Sequence, residues 1–171
     1  MELNRLSEKY ISILNKIIEL YPENREVCSF CYLYLGKYYQ EEEKIQSIAI
    51  KHYETIIKEY KDTYPYWYCL FIISDLYRGL EDYNKALEYI DMALKEPEFE
   101  DLKVKAFYEK AYTYLEMRKI KEAEELLNKI IAETGKGTRY YEKSKYLLKM
   151  IELDDFSNLE SLGKDVRMPF Y

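Results

Sequence analysis

Residues 32–39 read Tyr32-Leu33-Tyr34-Leu35-Gly36-Lys37-Tyr38-Tyr39, and the pattern returns, altered but in order, twice further along the chain. The closing tyrosine reappears as Tyr77 and Tyr114, and the glycine three positions earlier reappears as Ser74 and Ala111. A third column follows at Ala49, Ala86 and Ala123, with 37 residues between successive members. Agreement across three columns marks an internal repeat rather than chance. The residue types have a packing reason: small side chains let two helix backbones approach, and large ones fill the holes beside them. One helix pair cannot bury its apolar face alone, so neighbouring pairs supply the core.

The columns are similar to those of a known family. Tyr32-x2-Leu35-Gly36-x2-Tyr39 resembles the tetratricopeptide signature W-x2-L-G-x2-Y, with tyrosine in the tryptophan place. The first unit closes with Ala49-x3-Tyr53-x2-Ile56 and Pro65. The second reads Leu70-x2-Ile73-Ser74-x2-Tyr77, then Ala86-x3-Ile90-x2-Ala93 and Pro97. The third reads Phe107-x2-Lys110-Ala111-x2-Tyr114, then Ala123-x3-Leu127-x2-Ile130. Lys110 departs from the pattern by standing in a usually apolar place, and the first unit carries an extra residue near Glu41–Ser47. The period exceeds the family's usual length by about three residues.

The resemblance covers roughly residues 5 to 153 and implies an all-α chain. It implies a right-handed superhelix of antiparallel helix pairs, a tetratricopeptide-type solenoid of about three repeats plus flanking single helices. The repeat domain is expected over 1–153, with units near 29–62, 67–100 and 104–137 and flanking helices at 5–21 and 139–153. Helix pairs are expected at about 25–41 and 44–60, 65–79 and 83–95, and 101–116 and 120–134. Pro22, Pro65 and Pro97 fall at the junctions, where a missing N–H costs least. Thr138 is a candidate helix cap after the Gly135-Lys136-Gly137 break. Residues 154–171 are read as a C-terminal cap or tail, with Leu159 and Leu162 able to join a closing helix, or as a segment that occupies the groove.

Composition agrees with helix. The 171 residues include only 5 glycines and 4 prolines, too few turn formers for a β-rich fold of this length. The 21 tyrosines supply rings with a polar tip, suited to the wet edge of a helix interface. The formal net charge of −6, with Lys143, Lys145 and Lys149 interleaved among apolar residues, argues against nucleic-acid binding. No apolar run approaches the roughly 18 residues of a membrane span. The first twenty residues, MELNRLSEKYISILNKIIEL, are amphipathic and unlike a secretory signal, so a cytoplasmic location is expected.

Catalytic groupings are sparse. Cys28-x2-Cys31 is half a metal or redox motif, but only Cys69 and His52 could complete a zinc site, and no strand–helix junction frames the pair. With one histidine, any two-histidine mechanism is excluded. Neither a nucleophile elbow nor a phosphate-binding glycine loop is present, and Gly135-Lys136-Gly137 lacks the upstream strand. Adjacent acids such as Glu124 and Glu125 read as a solvated face. The sequence therefore implies no enzyme and no cofactor.

The resemblance further implies a concave surface lined by positions 2, 5, 9 and 12 of each unit. These are Phe30, Leu33, Lys37 and Gln40, then Tyr68, Phe71, Asp75 and Arg78, then Lys105, Tyr108, Tyr112 and Leu115. The last helix adds Arg139, Glu142, Tyr146 and Lys149. The preferred partner-contact set is Phe30, Leu33, Lys37, Tyr68, Phe71, Asp75, Arg78, Tyr108, Tyr112 and Tyr146, rich in the types that dominate interfaces. Core packing is the competing role for the rings. The carboxylate clamp of chaperone-tail binders is not reproduced, since Leu33 and Lys37 stand at its positions, which favours a helix or extended peptide with apolar anchors. The expected function is an adaptor or scaffold for a protein or peptide partner. One alternative is self-association through the terminal helices. The other is the soluble part of a bacterial envelope-assembly protein, whose junctions the Leu20–Asn24 and Tyr60-x4-Pro65 segments resemble.

Overall fold

The computed structural model describes residues 2–42, 44–95, 100–157 and 159, with the side chains of all of these except 2–7, 100 and 101. Among them are eight α-helices and no strand: α1 (Glu2–Leu20), α2 (Arg25–Glu41), α3 (Gln46–Glu59), α4 (Tyr64–Gly79), α5 (Tyr83–Lys95), α6 (Glu100–Glu116), α7 (Ile120–Glu133) and α8 (Arg139–Glu152). The all-helical expectation holds, and each helix begins and ends close to where the proline, glycine and polar breaks place it. No helix among the described residues is long and apolar enough to cross a membrane. The chain forms two compact units, Met1–Ile73 and Ser74–Tyr171, divided within α4.

The turns repeat as faithfully as the helices. Lys44, Glu81 and Arg118 take left-handed backbone conformations, with φ of 54°, 60° and 60°, and lie 37 residues apart in each step. Asp154 (φ 50°) marks the same turn after α8. Each left-handed residue lets the next N–H reach back to a helix carbonyl: Asp82 to Tyr77 at 2.9 Å, Lys119 to Tyr114 at 2.8 Å, and Asp155 to Met150 at 3.0 Å. In the first turn Ile45 donates to Tyr39 at 2.7 Å, across a span one residue longer, which is where the extra residue goes. A left-handed L-residue costs about 1 kcal/mol that glycine avoids. Replacing the exposed Glu81 by glycine is therefore expected to raise stability by about 0.5–1 kcal/mol. A higher urea midpoint at unchanged slope checks this, and a lower midpoint would show that the side chain contributes more than the turn costs.

In the first unit, α2 and α3 run antiparallel. Tyr32 meets Tyr60 at 5.8 Å between ring centroids, while seven residues later Tyr39 meets His52 at 5.5 Å. Between these contacts Gly36 and Ala49 are buried, and the ring of Tyr53 fills the space over Gly36, with its hydroxyl donating to Gln40 Oε1 at 2.9 Å. Asn24 caps α2 by accepting from the Val27 N–H. On the other side of α2, Leu14 of α1 packs with Cys31 and Leu35.

In the second unit, α6, α7 and α8 close over a cluster that includes Tyr108, Ala111, Tyr112, Leu127 and Leu147. The anomalous Lys110 is explained here: its ammonium donates to Asp91 of α5 at 2.6 Å. Helix α8 is not solitary, since it packs on α7 and α6 and buries Ser144, Leu147 and Met150. Leu159 joins the cluster, and its carbonyl accepts from the Tyr112 hydroxyl at 2.5 Å. Leu159 thus lies against α6 at Tyr112, while Leu162 lies outside the described residues. Thr138 stands at the N-cap of α8 but makes no side-chain capping bond; its hydroxyl donates to the Gly135 carbonyl at 2.8 Å instead.

Candidate binding surface

The ten residues expected to meet a partner divide by burial. Leu33, Tyr68, Phe71, Arg78, Tyr108 and Tyr112 are buried. As placed they present no surface, so the ring stripe reads as core at these positions. Phe30, Lys37 and Asp75 are half-buried, and Tyr146 is 46% exposed. The physical reason is that one helical stripe serves equally to line a groove or to fill an interior.

Arg78 belongs to an ionic centre in the second unit. Its guanidinium donates to Asp75 at 2.7 Å and to Glu109 at 2.8 Å, lies 3.7 Å from Glu116, and sits 4.8 Å over the Tyr112 ring. Burial alone would lower its pKa, but Glu109, Asp75 and Glu116 outweigh burial and hold it above the ordinary value. The group is a permanent cation binding α4 to α6, and the sequence pattern pointed to none of these ion pairs.

The accessible aromatic surface of the first unit was not among the sequence candidates apart from Phe30 and Lys37. Phe30 stacks with Tyr34 and with Tyr64, each at 6.4 Å, and both tyrosines are more than a third exposed. Beside them opens a cleft of about 270 Å³ lined by Tyr10, Tyr34, Lys37, Tyr38, Glu41 and Glu42. The Lys37 ammonium lies 5.1 Å over the Tyr68 ring. Burial and the neighbouring Tyr34 push the Tyr10 hydroxyl pKa up, which keeps that phenol neutral at physiological pH.

The three cysteines and His52 are packed groups. Cys28 donates to the Tyr21 carbonyl at 3.2 Å, and burial pushes all three thiols above their ordinary range, away from the thiolate that reactive cysteines need. Among the described residues no cluster of three or more His, Cys, Asp and Glu could hold a metal ion. His52 stacks on Tyr39 at 13° between planes, and burial lowers its pKa from 6.5. The unfolded chain therefore binds this proton more readily than the folded one. His52 contributes stability above its unfolded pKa, and the contribution is lost as pH falls through the lowered folded value. The drop in melting temperature between about pH 7.5 and about pH 5.5 is expected to shrink in His52→Gln; an unchanged drop would remove His52 from the pH response.

No protein-family model, no curated protein and no solved structure matches this chain.

Proposed function

We propose that this protein is a non-catalytic adaptor of the tetratricopeptide type that holds a polypeptide of a partner protein. The observation that carries this reading is the recurrence of one turn, left-handed at Lys44, Glu81 and Arg118, between helices that bury Gly36, Ser74 and Ala111 at matching places. Stacked helix pairs of this kind serve as extended binding surfaces. The exposed Phe30–Tyr34–Tyr64 stack supplies the rigid aromatic groups that anchor interfaces. The fold type alone does not fix a function, so the surface has to be tested.

The test uses the wild type and a Tyr34→Ala/Tyr64→Ala variant as bait in a lysate of the source cells. Both tyrosines are exposed, so the variant keeps its fold, checked by circular dichroism. The reading expects one polypeptide held in stoichiometric amount by the wild type and lost from the variant. Nothing retained by either would remove it.

A second reading, self-association, is favoured by α1, which leaves Ile13, Leu20 and Tyr21 about half exposed. Light scattering after size exclusion decides it: a mass that stays monomeric at every concentration ends the idea.

A further inference from the structure

Twice in this chain an arginine lies over a tyrosine ring while its guanidinium meets carboxylates. Arg25 sits 5.2 Å over Tyr60 and forks onto Asp62. Arg78 sits over Tyr112 and binds Asp75 and Glu109. The cleft of the first unit holds the same two ingredients, the rings of Tyr10, Tyr34 and Tyr38 and the carboxylates of Glu41 and Glu42, but no arginine lines it. Lys37 does line it, with its ammonium lying over Tyr68. Among the described residues neither Glu41 nor Glu42 makes an ion pair or a side-chain hydrogen bond.

Their place on the helix sharpens the point. Glu41 ends α2, Glu42 is its C-cap, and the last turn carries no basic residue. The C-terminal end of a helix is already negative, so acids there oppose helix formation, whereas a cation there is favoured. An apolar or acidic ligand leaves that charge uncompensated.

We propose that this cleft takes an arginine side chain of the partner polypeptide, stacked on the tyrosine rings and paired with Glu41 and Glu42. Arginine fits better than lysine because its flat guanidinium lies on ring faces and forks onto carboxylates at once. The proposal rests on the adaptor reading and names the chemistry of what the adaptor holds.

The probe is the tripeptide acetyl-Gly-Arg-Gly-amide, with its citrulline counterpart as the neutral isostere. Each is titrated into the full chain while the tyrosine ring signals are followed by carbon–proton NMR. The arginine peptide is expected to shift Tyr10, Tyr34 and Tyr38 saturably, and to bind at least roughly tenfold more tightly than the citrulline peptide. In Glu41→Gln/Glu42→Gln that advantage is expected to vanish while the protein stays folded. No saturable shift at these rings, or equal binding of the two peptides, would overturn the proposal. If the lysate capture succeeds and the arginine response fails, the adaptor reading stands and this site falls. If the arginine response is present and the capture is empty, the site stands and the adaptor reading falls.

Discussion

Gly36→Ala is expected to destabilise the protein by about 1–3 kcal/mol, the range seen when a methyl group is forced into a filled core. Helix propensity alone predicts the opposite, since alanine is better than glycine inside a helix by about 1 kcal/mol. The difference lies in one contact. A Cβ on Gly36 would stand 2.8 Å from Cδ1 and Cζ of Tyr53 and closer still to Cε1, and that ring is fully buried with its hydroxyl bonded to Gln40. Gly79 supplies the control: it ends α4, is exposed, and has nothing within 4 Å of its own added Cβ. Gly79→Ala is expected to be neutral or to gain up to about 1 kcal/mol. Urea unfolding of the two variants beside the wild type reads both signs. If Gly36→Ala is as stable as Gly79→Ala, the small-residue column is not what sets the distance between α2 and α3.

Arg78→Met is expected to cost about 3–5 kcal/mol, because it removes the buried cation on which three carboxylates converge. Asp75, Glu109 and Glu116 all face the vacated position, and the lost guanidinium also uncovers the Tyr112 ring. Adding Glu109→Gln to Arg78→Met is expected to recover part of the loss, as coupled neighbours are not additive. Chemical denaturation of the single and double variants beside the wild type checks both. A loss below about 1 kcal/mol would place Arg78 with ordinary surface ion pairs.

These two sites show what the sequence made legible and what it withheld. The spacing of Gly36, Ser74 and Ala111 located the closest helix approach, because glycine and its small replacements are recognisable residue by residue. The extra residue of the first unit was visible too, and it went into the turn that ends at Ile45. Helix α8 looked solitary because, counted back from the left-handed Asp154, Leu147 and Met150 stand where Ser74 and Tyr77 stand before Glu81, so neither column member returns.

The candidate binding residues were the least legible part. Phe71, Tyr108 and Tyr112 share their helical period with Phe30 and Tyr34, and period alone does not separate a ring that fills the interior from one that faces solvent. Partners far away in sequence were equally hidden. Lys110 looked like a fault in the pattern until Asp91, 19 residues earlier, appeared beside it, and Glu109 and Glu116 gave no sign that they face Arg78. The Tyr10–Tyr34–Tyr38 cleft lies within the first unit but joins the flanking helix α1 to α2, which the repeat pattern reads apart.

Photo-crosslinking tests the central claim, that the exposed aromatic face of the first unit holds a polypeptide. A benzophenone amino acid is placed at Tyr34 in one form of the protein and at the exposed Glu125 of α7 in another, and both are irradiated in the cells that make them. The account predicts one discrete protein adduct from position 34 that is missing from position 125. No adduct at position 34, or the same adducts from both positions, would contradict it.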